Sequence, residues 1–69
     1  MKNAPVMVVK NERDAVQAEV TLIPSGKYAG QYAVQVRDTD EDIVLPNILL
    51  FVTLAEAESE AYLIAGVAR

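Results

Sequence analysis

The 69-residue chain contains no cysteine, no histidine and no tryptophan. Without cysteine, neither a disulfide nor a thiolate metal site can staple a small core. Without histidine or cysteine, the serine–histidine and cysteine–histidine nucleophile systems are excluded. Long hydrophobic runs are missing too: no stretch approaches the ~18 consecutive apolar residues of a membrane span. The opening MKNAPVMVV has one lysine and a short apolar run, but no extended hydrophobic region or small-residue cleavage pattern. No signal peptide is expected, and a cytoplasmic protein without membrane association fits these absences.

What is present is apolar. Hydrophobic residues make up 52% of the chain and charged residues 23%, too apolar a mixture for intrinsic disorder. The length allows one domain, residues 1–69, near the lower limit for a self-sufficient core. A core that small often completes its burial against a partner. Charge is divided unevenly along the chain. Residues 1–37 hold five cations against three acids, and residues 38–69 hold one cation against seven acids. Such polarity can orient one subunit against another, or simply keep an apolar protein soluble.

PVMVV (5–9) is a short β-branched run that reads as a strand, with Pro5 at its start where no amide is needed. Over 16–23, Val16, Ala18, Val20 and Leu22 alternate with polar residues, the period of a half-buried strand. The segment 11–19 is also compatible with a helix capped by Asn11. PSGKYAG then supplies a turn, and QYAVQV alternates again, with Tyr32, Val34 and Val36 on one face and Gln31, Ala33 and Gln35 on the other. These two strands predict an antiparallel hairpin with its valines on the core.

Residues 38–42 hold four of the ten acids. Asp38, Asp40 and Asp42 have the alternating spacing that opens a calcium loop. Counted from Asp38, however, position 6 is Ile43 where glycine is required, and position 12 is Leu49 where a bidentate carboxylate is required. The segment is expected to be a solvated turn, since Asp side chains bond nearby backbone amides. IVLPNILLFV follows, broken at Pro46-Asn47, and its second half is apolar on both faces.

TLAEAESEAYLIAGVAR is the clearest helix. Thr53 caps it and Glu56, three residues on, completes a capping-box pattern. Glu56, Glu58 and Glu60 in the first half and Arg69 at the end suit the helix dipole. Leu54, Ala57, Ala61, Ile64, Ala65 and Ala68 form an apolar stripe for a sheet. Tyr62, Leu63 and Val67 fall largely on a second side, so the later part is apolar all round. The expected fold is α+β: an antiparallel meander of three to four strands packed on one face by this C-terminal helix.

No enzymatic site and no cofactor are implied. Glu56 and Glu60 have structural explanations, and the single glycines of SGKYAG match neither a P-loop nor a dinucleotide fingerprint. The surplus apolar surface points instead to an interaction module, expected to be a homodimer or to bind another protein. Its candidate interface residues are Ile48, Leu50, Val52, Tyr62, Leu63 and Val67. An uncovered apolar strand is an aggregation hazard that proteins cover or pair.

The alternative is a nucleic-acid-associated module using Lys27, Tyr28, Gln31, Gln35 and Arg37 on the hairpin. Over about residues 20–65, the GKY…Y hairpin, a later aromatic, the threonine cap and EAE resemble the DNA-arm-binding domains of tyrosine integrases. That resemblance implies a sheet reading the major groove. In that family the strands are rich in Lys and Arg, whereas this sheet has two cations beside an acidic turn. A pI of about 4.5 makes nucleic acid an unfavoured partner, because phosphate contacts supply much of such affinity.

Overall fold

The computed structural model describes residues 5–67. Strands β1 (Met7–Asn11), β2 (Val16–Leu22), β3 (Tyr32–Asp38), β4 (Ile43–Val44) and β5 (Leu49–Phe51) form one antiparallel sheet, followed by helix α1 (Leu54–Ala65). The α+β meander packed by a C-terminal helix is the architecture that the patterning predicts. Strand β3 has β2 on one side and both β4 and β5 on the other. The last two strands are thus one interrupted edge. From Ile43, opposite Asp38, to Leu49, opposite Val34, the edge advances six residues while β3 advances four. Two extra residues are accommodated around Pro46, which has no amide to give a ladder. Because two is an even number, the alternation of faces survives the interruption.

The β1 expectation was two residues early: the strand runs over Met7–Asn11, and Asn11 closes it rather than capping a helix. The helical alternative for 11–19 fails because residues 16–20 pair with β1 and the whole of Val16–Leu22 pairs with β3. Strands β1 and β2 are joined by a tight turn in which Ala15 takes a positive φ of 55°.

Helix α1 lies on the face that bears Val9, Ala18, Val20 and Val34, and contributes Ala57, Ala61 and Ala65. These seven residues are the buried apolar core among the described residues. Alanine at every fourth position lets the helix backbone approach the sheet closely. The buried residues are therefore no larger than valine, with Met7, Tyr32, Phe51, Tyr62 and Ile64 packed half-buried against them. Leu54, expected in the buried stripe, is the first residue of α1 and is 42% exposed. Ile64 packs partly against the core, and Ala68 and Arg69 lie outside the described residues.

The helix ends sooner than its composition suggests. Gly66 takes a left-handed conformation, φ 73°, and its amide bonds to the Leu63 carbonyl at 3.2 Å while the Val67 amide bonds to that of Tyr62 at 3.1 Å. This is a Schellman motif, in which the residues flanking the glycine come together. It corrects the placement of Tyr62 and Val67 on an outward second side: both are half-buried against the core. Only Leu63 of the three stands clear, at 74% exposure.

Candidate interaction surface

Every residue from 39 to 50 is exposed, and six of those twelve are Ile43, Val44, Leu45, Ile48, Leu49 and Leu50. With Val52 and Leu54, residues 43–54 hold eight of the thirteen large apolar side chains that the described residues leave exposed. The cause is topological. Among the described residues no strand pairs with the outer side of β4 or β5, and α1 contacts β1, β2, β3 and β5 but not β4.

Two grooves flank this edge. On the helix side, a cavity of about 600 Å³ has Val34 and Val36 on its floor, Ile64 on the helix wall, and Leu45, Ile48 and Leu49 along its outer rim. On the opposite face, a groove of about 470 Å³ passes Glu19, Gln35 and Arg37 and ends on Val44 and Ile48. Ile48 borders both grooves, so it projects from the edge itself. The exposed apolar side chains thus form a ledge that follows one edge of the sheet on both of its faces and reaches the start of the helix at Leu54.

Of the expected interface residues, Ile48, Leu50 and Val52 lie on this ledge at 53%, 38% and 71% exposure. Leu63 is exposed on the helix, whereas Tyr62 and Val67 are occupied with the core and the helix terminus. Ile43, Val44 and Leu45 belong to the ledge and were not singled out from the sequence; Leu49 lies in the apolar run read there, and Leu54 was expected in the buried stripe. The signal was present in IVLP, where apolar residues directly follow an acidic turn.

The hairpin residues do not assemble into a cationic face. Lys27 and Tyr28 sit in the exposed β2–β3 loop, with the ammonium 5.5 Å from the ring centre. Gln31 precedes β3, and Gln35 and Arg37 lie on the sheet face away from the helix, opposite Glu19 and Gln17. Arg37 is engaged at both ends. Its Nε donates to Glu19 at 2.9 Å and its Nη1 to Asp42 at 3.0 Å, and the bond to Glu19 is the leading cause holding its pKa above the usual value. Partial burial works to raise the Glu19 carboxyl, but the bonds from Arg37 and Gln17 and the Arg37 charge outweigh it and hold the group below its ordinary value.

The acidic segment forms the β3–β4 turn. The Asp38 carboxylate accepts the amides of Asp40 at 3.0 Å and Glu41 at 3.3 Å, and Asp42 takes a left-handed φ of 56°. Among the described residues no group of three or more acidic side chains is arranged to hold a metal ion, and no helix is long and apolar enough to cross a membrane. Comparison with protein-family models, curated proteins and solved structures finds no match for this chain. The functional reading rests on its own geometry.

Proposed function

We propose that this protein is a small non-enzymatic interaction module of the cytoplasm that self-associates through the apolar ledge of residues 43–54. The observation that carries the reading is the coincidence of eight exposed aliphatic side chains with an unpaired strand edge. Either feature alone is common. Together they form the kind of surface that proteins cover, because a bare apolar edge templates aggregation. The core supports the same reading. Its largest fully buried side chains are Val20 and Val34, while most of the leucines that usually anchor a domain are exposed, Leu45, Leu49 and Leu50 among them at the sheet edge. A second copy brings an identical surface, and two-fold pairing is the commonest closed solution.

The nucleic-acid alternative has less support, because Arg37 is committed to two carboxylates and Lys27 is separated from it by the length of β3. Sedimentation over a wide concentration range tests the proposal. The wild type is expected to dimerise, and Ile48→Glu and Val52→Glu to give folded monomers. A wild type that stays monomeric at hundreds of micromolar overturns it.

A further inference from the structure

Among the described residues, one face of the sheet has no layer over it. Helix α1 covers the face of Val9, Ala18, Val20 and Val34. Alternation puts Val8 of β1, Glu19 of β2 and Gln35 and Arg37 of β3 on the other, where Val44 and Leu50 stand opposite Arg37 and Ala33. The large aliphatic side chains of this open face lie at its two margins. Val8, 42% exposed, is on β1, and Val44, Ile48 and Leu50 belong to the ledge. The charges between the margins are already paired: Glu19 takes Arg37 and Gln17, and Arg37 takes Asp42. The side chains of Glu19 and Arg37 are 15% and 29% exposed, so a layer over them would dehydrate little further charge and orphan neither. Lys10, exposed on β1, is long enough to keep its ammonium in water.

Size separates this face from the edge alone. Side chains reach about 5 Å to either side of a sheet, so a seven-residue edge offers roughly 240 Å², or about 500 Å² for a pair, no more than a chance contact. Four strand positions about 4.8 Å apart make the face roughly 450 Å² in projection. A pair of faces hides about 900 Å² in projection, and with the relief of the side chains it reaches the ~1,000 Å² that a specific interface clears. We infer that the second copy packs on the open sheet face, so that two sheets lie face to face between two outer helices and the ledge is one margin of the interface. This rests on the self-association reading and names the surface it uses. Two copies of one face meet symmetrically and close as a dimer. Face-to-face packing also covers Val8, which docking through the ledge alone leaves in water.

Val8 lies on the open face but outside the ledge, so it distinguishes the two surfaces. Val8→Lys places an ammonium across the ladder from Glu19, at an exposed position where the fold should tolerate it. This variant is expected to melt close to the wild type and to dimerise at least about tenfold more weakly. Leu63→Lys, on the exposed side of the helix, should dimerise as the wild type does. The unmodified protein gives an independent readout: on dilution the methyl resonances of Val8 should shift together with those of Ile48, while those of Leu63 stay in place. A wild type that dimerises, with Val8→Lys of equal affinity or with Val8 methyls unmoved on dilution, overturns the sheet-face arrangement and leaves self-association standing. Assembly that grows beyond a dimer overturns it too, because it signals the ledge joined head to tail with the open side of β1. A wild type that does not associate removes both readings.

Discussion

The side-chain amide of Asn11 donates to the carbonyl of Ala65 at 2.8 Å, across 54 residues of sequence. The last carbonyls of a helix have no partner within it. Here the Schellman bonds take those of Tyr62 and Leu63, and Asn11 takes that of Ala65. Asn11 is 8% exposed, and its Oδ1 accepts the Asp14 amide at 3.2 Å while Nδ2 also reaches the Asp14 carboxylate at 3.1 Å. One side chain thus shapes the β1–β2 turn and fastens it to the end of α1.

Asn11→Ala is therefore expected to destabilise the fold by about 1–3 kcal/mol, the cost of leaving a buried carbonyl without its donor. Denaturant unfolding measures it. Asn11→Asp should do no better, since a carboxylate has no hydrogen to give Ala65 and stands beside Asp14. An unchanged midpoint for both variants would show that the link carries no stability.

Gly66→Ala tests the neighbouring terminus. A Cβ at Gly66 would meet the Asn11 Nδ2 at 3.6 Å, an ordinary contact, so space is not the obstacle. The left-handed φ of 73° is, and about 1 kcal/mol is expected to be lost. The reverse change at Ala15, whose φ is 55°, should gain a similar amount: Ala15→Gly is expected to raise the melting temperature.

These two positions also show what the sequence made legible. The β2–β3 hairpin was readable because strict alternation fixes both the strand type and its buried face, and Val20 and Val34 are opposite one another in the core. The β1–β2 turn was not readable. It has no glycine or proline, and Ala15 accepts a conformation that alanine rarely signals. Gly66 marked the helix end, but the apolar residues around it suggested a continuing helix. The ledge was half legible: surplus apolarity in ILLFV was evident, whereas the part played by residues 43–45 depends on which strand is left at the edge. No periodicity reveals the bond between Asn11 and Ala65, because it is set by how the helix crosses the sheet.

Thr53 caps α1 in a modified form of the expected box. Its hydroxyl oxygen accepts the Glu56 amide at 3.2 Å and its proton goes to the Glu56 carboxylate at 3.0 Å. Thr53→Ala removes both contacts and is expected to cost about 0.5–2 kcal/mol. Glu56→Ala leaves the amide bond in place and should cost less. Because the two side chains share a bond, the double variant should lose less than the sum of the singles. Strict additivity in thermal unfolding would separate the two roles.

Acid sensitivity should centre on Glu19. Its side chain is 15% exposed and receives Arg37 Nε at 2.9 Å and Gln17 Nε2 at 2.6 Å on the same oxygen. Its folded pKa lies below the ordinary value of 4.5. A carboxyl with a depressed folded pKa binds fewer protons in the native than in the unfolded state while pH lies between the two values. Its contribution is therefore complete above the unfolded pKa and is lost as pH falls from there through the folded value. Stability of the wild type should decline over that window, and Glu19→Gln, which cannot titrate, should flatten the decline while lowering stability at neutral pH. The neutral-pH loss is expected to be modest, because Arg37 remains in contact with water and with Asp42. Melting curves of the two proteins between pH 7 and the acid limit make the comparison. Parallel declines would assign the acid response to carboxylates other than Glu19.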